Sequence, residues 1–351
     1  MVGSFVLISM LYIGQGILLP LMYATILAIL INPAVNFLER KKINRGIAIA
    51  SVLGLAIVII CTLLFLVMSQ ATVLIEAMPE LSSKLQALLH QFALWLSDYF
   101  NISVRQINVW FANEKMTFLH SGDFGIGNTI TTLGSVLAII FLTPVYIFMI
   151  LFYQPHLLLF MHKLFGADND RKVDEILNET KRIVQGYLVG LFSEFVIIAI
   201  LNAIGLLLLG IDYAILLGIV GALLNVIPYV GGLIGVLVFM TIALLTKAPI
   251  YVVYVMSLYV FIQFVDNNYI VPRIVGSKVK LNALISILAV VGGAALWGIP
   301  GMFLSIPLMA VIKLIADRLE PLKAWGFLLG DTMPPLMKLK IKTRTAHVTA
   351  K

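Results

Sequence analysis

Asn225-Val226-Ile227-Pro228-Tyr229-Val230-Gly231-Gly232 interrupts an apolar run of 34 residues, positions 213–246. As one straight helix that run would measure about 51 Å at 1.5 Å per residue. It would overshoot a hydrocarbon core of about 30 Å even with generous tilt. The proline removes a backbone donor and the glycine pair permits a sharp turn. The stretch therefore predicts a helix–turn–helix hairpin that enters and leaves the membrane on the same side. A second run, positions 281–316, has 36 residues and is broken at Gly298-Ile299-Pro300-Gly301. It predicts a second hairpin. A single crossing by each run is the competing reading.

The rest of the chain agrees with a membrane setting. Hydrophobic residues make up 61% and charged residues 12%, with a mean hydropathy of +1.05, whereas soluble domains carry about 25% charged residues. Further apolar segments lie at 6–19, 21–37, 46–69, 129–152, 184–210 and 249–270. They are continuously apolar rather than alternating, which predicts helices and not barrel strands. The expected fold is an all-α polytopic membrane protein with about eight hydrophobic segments, two of them re-entrant hairpins. Three regions follow: N-terminal transmembrane helices over 1–69, an extracytoplasmic helical region over 70–128, and a transport region over 129–351. The last contains both hairpins and a basic tail. The first segment lacks a basic flank and a cleavage site, so it reads as a retained span, with Pro20 in a tight turn before the second.

Lysine and arginine set the orientation. Positions 39–45 hold four, 156–182 five, 273–280 three and the tail from Lys313 eight, whereas 70–128 holds three and Lys247 stands alone. Two hairpins place 20 of these on one side and 4 on the other; two single crossings place 18 and 6. Both termini are thus expected in the cytoplasm, in the inner (plasma) membrane. The net charge of +7 reads as this topogenic excess and not as a nucleic-acid footprint.

Between the third and fourth segments, Leu74, Met78, Leu81, Leu85, Leu88, Phe92, Trp95 and Tyr99 recur at helical spacing, with Pro79 kinking or starting the helix. That stripe could lie on the bilayer, pack on the chain's own spans, or meet a neighbouring subunit. Positions 168–182 alternate in charge, as a solvated helix surface does, and run into the fifth segment.

No phosphate-binding glycine loop, catalytic triad or metal-ligand spacing occurs, and His90, His120 and Cys61 are isolated. The expectation is a non-enzyme without cofactor or metal, coupled to an ion gradient or to the solute's own. Charges inside spans cost roughly 2.5–3.5 kcal/mol each on insertion scales, so each is a candidate site. Asp266, with Gln263, Asn267 and Asn268, could hydrogen-bond a polyol or coordinate sodium; alternatively it pairs with Arg273 or caps its helix. Asn225, Pro228, Tyr229 and Gly231, with Pro300 of the second run, offer opened helix ends to a solute or ion, or form purely structural turns. Glu194 is either a protonatable coupling residue or a partner for a neighbouring helix. Gln185, Asn202, Asp212 and Lys313 are weaker candidates.

Several of these motifs together resemble the autoinducer-2 exporter (AI-2E) family of membrane permeases. They are residues 225–231, Asp266-Asn267-Asn268, Pro272-Arg273 with Gly276, residues 301–308, and Leu30-Ile31-Asn32-Pro33 before a basic turn. The family often has Gly-Pro where this chain has Gly231-Gly232, which bears on the stiffness of the first hairpin tip. The resemblance implies a secondary transporter exporting a small polar metabolite or an autoinducer-2-like signal by alternating access, similar to elevator carriers. It also implies a homopentamer and, for some members, sodium(lithium)/proton antiport. A non-transporting membrane scaffold is a third reading.

Overall fold

The computed structural model describes residues 2–100, 141–166, 169–227 and 230–331. Within them the regular elements are helices: α1 (Val2–Ile13), α2 (Gln15–Arg40), α3 (Arg45–Phe100), α4 (Phe141–Phe152), α5 (Gln154–Phe165), α6 (Asp170–Leu208), α7 (Ala214–Asn225), α8 (Val230–Thr246), α9 (Ile250–Val265), α10 (Ala283–Arg318) and α11 (Lys323–Leu329). Among the described residues five helices are long and apolar enough to cross a bilayer, or six if α4 and α5, bent by 64°, form one span. That is fewer than the eight segments expected. Helices α1 and α7 have 12 residues each and α8 has 17, so the longest measures about 26 Å and none reaches across about 30 Å of hydrocarbon.

Two boundaries differ from expectation. The first break falls at Gly14, and Pro20 lies fully buried inside α2. A proline inside a transmembrane helix is tolerated where neighbouring helices surround the interrupted turn. The third segment does not stop near position 69; α3 continues through Pro79 to Phe100 over 56 residues, about 84 Å. Its apolar stripe divides. Leu81 is buried in the core that α7 and α8 build, with Leu74, Ala77 and Leu88 packed beside it. Met78, Leu85, Phe92, Trp95 and Tyr99 are exposed, the last three as a ladder of stacked rings.

Helix α6 is the central post. It begins in the charged segment and runs 39 residues into the core, as its sequence continuity predicts. It ends on a Schellman motif: Ile211 N–H donates to Leu206 C=O at 2.9 Å and Gly210 N–H to Leu207 C=O at 2.8 Å, with Gly210 at φ 65°. Helices α7 and α8 then fold back on each other, with Gly221 against Phe239 and Gly231 against the Leu224 carbonyl. The second run turns at Trp297 (φ −138°, ψ 17°) and Gly298 (φ 62°, ψ −143°), the latter a conformation open in practice only to glycine. Pro300 therefore begins the second arm, where a missing N–H is harmless. The arms of α10 meet at backbone contact between Gly293 and Gly301. Trp297 Nε1–H donates to Leu11 C=O at 3.1 Å and the Tyr23 hydroxyl to Pro300 C=O at 3.0 Å, fastening this tip to α1 and α2.

Helix α2 joins two cores. One face packs with α3 and α4 through Ala24, Ala28, Val35, Ala48, Ile49, Ile147 and Leu151. The other packs with α6 and α10 through Leu19, Ile26, Val184, Leu188 and Leu304. At the basic end, Arg45 donates to the Leu151 carbonyl at 2.6 Å and to Gln154 Oε1 at 2.9 Å, and pairs with Glu39 at 3.1 Å. Nearby, His162 on α5 meets Asp170 at 2.9 Å and Asp174 at 3.2 Å.

A Cβ at Gly301 would overlap the Gly293 carbonyl, whereas one at Gly292 would meet nothing within 4 Å. Gly301→Ala should cost about 1–3 kcal/mol, while Gly292→Ala should be neutral or stabilise by up to about 1 kcal/mol. Equal unfolding midpoints for the two variants in detergent would refute the contact. The hydrogen bond to Asp170, then the charge of Asp174, raise the His162 imidazole above its usual 6.5. A raised folded value means that the His162 contribution is complete below about 6.5 and disappears as pH climbs through the folded value. Hydrogen exchange in α5, corrected for intrinsic rates, should accelerate over that window in the native chain and show no such step in His162→Gln.

Candidate functional site

Where α6, α7 and α9 converge, a buried polar knot has Asn225 at its centre. Asn225 is the last residue of α7, so its side chain sits at the end of that helix. Asn225 Nδ2 donates to Asp266 Oδ2 at 3.0 Å and approaches Glu194 Oε1 at 3.5 Å. Its Oδ1 accepts from Gln263 Nε2 at 3.1 Å, and Gln263 also donates to the Tyr259 hydroxyl at 2.8 Å. The amide orientation follows from the chemistry, since only the NH₂ end can serve two carboxylates. Asp266 is 2% and Glu194 9% exposed. Among the described residues Asp266 Oδ1 is buried without a hydrogen-bond partner.

The backbone explains why Asp266 is available. Helix α9 widens after Val265 into two successive π-turns, Asp266–Ile270 and Pro272–Gly276. Pro272 has no N–H, and its ring would clash with the carbonyl four residues back, so regular α-geometry fails here. Such insertions are frequent at functional sites. Asn268 Nδ2 donates to the Phe264 carbonyl at 2.8 Å, satisfying one group that the change of pitch affects.

A cavity of about 570 Å³ opens on this knot, lined among others by Tyr187, Glu194, Asn225, Gly232, Gln263 and Asp266. Its size lies within the range of small-molecule sites. Gly232 lets α8 approach, because a Cβ there would lie 2.5 Å from the Tyr259 hydroxyl. A second cavity, of about 470 Å³ and apolar, lies between the hairpin tips, against Tyr23, Ile227, Pro300 and Phe303. Val226 lines both.

The structure thus brings together Glu194, Asn225, Gln263 and Asp266 of the residues chosen from sequence, and Asn267 lines the same cavity. Pro300 belongs to the gap between the tips, Gly231 packs inside the first hairpin, and Asn268 binds its own helix. Pro228 and Tyr229 lie outside the described residues. Asp266 takes its contact from Asn225 and not from Arg273, whose guanidinium lies 6.0 Å from the centre of the Tyr269 ring. Gln185 donates to the Ile29 carbonyl at 2.6 Å, a bond between helices. Gly232 belongs to the tip that the sequence marks, whereas Tyr259 was not among the sequence candidates. Tyr259 could have been, since it precedes Gln263 by one helical turn.

Comparison with known proteins follows the same lines. The family described as AI-2E family transporter matches residues 3–320. YueF of Bacillus subtilis (strain 168) is 27% identical over 326 residues, 88% of this chain and 86% of that protein. PerM of Escherichia coli (strain K12) is 26% identical over 317 residues, 88% of each chain. The AI-2 transport protein TqsA of Escherichia coli (strain K12) is 24% identical over 319 residues, 90% of each chain.

Removing the central amide tests the knot. Asn225→Ala should cost about 1–3 kcal/mol, the penalty for buried acceptors left without a donor. In a double-mutant cycle with Asp266→Asn the two changes should couple by about 0.5–3 kcal/mol. Additive losses in unfolding free energy would show that the contact contributes nothing.

Proposed function

The chain belongs to the AI-2E transporter family, and from that premise we propose that it is a secondary transporter that exports a small polar solute by alternating access, with the Asn225 knot as its binding site. The observation that carries this reading is the juxtaposition of a buried, half-satisfied carboxylate with a cavity of about 570 Å³ rimmed by amides and a hydroxyl. Asp266 Oδ1 and Glu194 accept, while the amides of Gln263 and Asn267 can donate or accept. That set suits a compact polyhydroxylated molecule, and the relative TqsA is named an AI-2 transport protein.

The short arms of the first hairpin support a re-entrant reading. At about 18 and 26 Å they are too short to cross singly and fit an entry and return on one side. Broken helices of this kind expose free helix ends at mid-membrane, where solutes and coupling ions bind. Displacement of the first tip would change the polar cavity and the apolar gap together, because Val226 belongs to both.

A specific observation also favours ion coupling. Two carboxylates flank one neutral donor, and no lysine or arginine pairs with either among the described residues. Such a pair attracts a proton or a small monovalent cation. Sodium(lithium)/proton antiport is accordingly the second reading.

Proteoliposomes loaded with autoinducer-2 give the test. Asp266→Asn and Gln263→Leu should each lower solute flux about tenfold or more, the equivalent of one hydrogen bond to a charged group. Wild-type flux in both variants would remove the knot from the site. Proton movement driven by sodium or lithium, with no solute flux at all, would replace the exporter by the antiporter.

A further inference from the structure

A third cavity, of about 580 Å³, opens between α6, the turn after the π-turns and the last part of α10. Four basic side chains line it, Arg182, Lys278, Lys280 and Lys313, together with two carboxylates, Glu179 and Asp317. Both carboxylates are already engaged. Asp317 holds the Lys313 ammonium at 2.5 Å, and Glu179 holds the Arg318 guanidinium at 2.5 Å while lying 3.8 Å from Arg182. Lys278 and Lys280 have no carboxylate partner among the described residues.

The two lysines sit on a pinned segment. The stem of Lys278 lies over Gly186 of α6, where an added Cβ would come within 3.1 Å of it. Lys280 ends a short helical turn in the left-handed region, at φ 47°. Two residues on, Asn282 caps α10 by accepting from Ile285 N–H at 2.9 Å. The same Asn282 donates its side chain to Leu328 C=O at 2.7 Å, and its backbone N–H to Leu329 C=O at 3.1 Å. Surplus positive charge on fixed backbone around a concave pocket is the arrangement that holds a compact anion.

We propose that this pocket binds a phosphate group, with Lys278 and Lys280 as its principal ligands. The site is separate from the solute cavity in chemistry. The two share only the wall formed by Val279 and Lys280, and beyond it an anion would meet Glu194 and Asp266. A phosphate is attracted to the basic pocket and repelled from the carboxylates, so it is a resident of the pocket and not cargo. Once bound it bridges α6 to the second hairpin, because Arg182 belongs to one and Lys313 to the other. Two sources share this chemistry: the headgroup of an anionic phospholipid, and a free phosphorylated molecule. Basic pockets between helices on the cytoplasmic side are suited to the former.

The full chain, purified in detergent, is titrated with phosphatidylglycerol, with phosphatidylcholine, and separately with inorganic pyrophosphate, and the unfolding midpoint is followed. An anionic probe should raise the midpoint by about 3 °C or more near saturation, and phosphatidylcholine should not. The Lys278→Gln/Lys280→Gln double variant should bind at least tenfold more weakly. Asp317→Asn, which releases Lys313, should bind more tightly. A Lys84→Gln/Lys247→Gln variant loses the same charge elsewhere and should respond as the native chain does. A response to phosphatidylglycerol alone assigns a lipid, and one to pyrophosphate alone assigns a soluble phosphate. The proposal is overturned if neither probe shifts the midpoint, or if the Lys278/Lys280 variant responds fully. It is overturned equally if the Lys84/Lys247 variant loses the response to the same degree, or if Asp317→Asn, folded by its elution profile, binds no more tightly.

Discussion

Inside hydrocarbon there is no water to satisfy a carboxylate, so each buried one must find donors within the protein. This chain places two, Glu194 and Asp266, around the single amide of Asn225. That sharing couples three helices. Asn225 can reach both only if α7 ends where it does, if α6 presents Glu194 toward it, and if α9 changes pitch at Asp266. The position of the first hairpin tip is therefore tied to a polar contact and not to apolar packing alone, which in a membrane distinguishes poorly between neighbouring registers. The remaining free oxygen of Asp266 lies at that same junction.

The apolar framework makes the junction possible by close approach. Gly218 on α7 lies against the backbone of α6 at Ala199 and Ala203. Gly232 admits the α8 backbone to the knot itself. In a bilayer helices gain little from burying apolar surface against each other, so small residues that permit backbone contact do much of the selection. The second hairpin follows the same rule at Gly293 and Gly301, but its tip is fastened by Trp297 and Tyr23 to the N-terminal helices. The first tip contributes Ile227 to an apolar gap against Pro300 and Phe303. One hairpin is anchored by hydrogen bonds to α1 and α2 and the other to the polar knot. Relative motion of the two would open or close the gap between them.

What could be read in advance was whatever depends on local chemistry. The two overlong runs broken by glycine and proline, the continuity of the charged 170s into α6, and the crowd of polar groups at 263–268 are all statements about neighbours in sequence. What could not be read depends on neighbours in space. Pro20 looks like a breaker until α2 is surrounded by other helices. The apolar stripe after Ser69 looks like a separate amphipathic helix, because its polar intervals hide the continuity of α3 from Arg45 to Phe100. The turn of the second run sits at Trp297-Gly298, ahead of the proline, since proline favours the first turn of the helix that follows. The union of Asn225 with Asp266, 41 positions apart, is a tertiary fact that composition cannot display.

Charge is segregated along the molecule in a way that bears on cargo. The basic residues near the ends of α6 and α10 neutralise one another's acidic neighbours, Arg318 with Glu175 and Glu179, Lys313 with Asp317. Among the described residues no lysine or arginine pairs with Glu194 or Asp266, although Lys280 lines the same cavity. Val279 and Lys280 line both the basic pocket and the central cavity, so the two charge environments meet at that wall. If that cavity is the proposed solute site, its two carboxylates favour a neutral polyol or a small cation over an anion. On the proposed reading of the central cavity as the solute site, Glu194 and Asp266 would disfavour an anion there before any detail of shape comes into play.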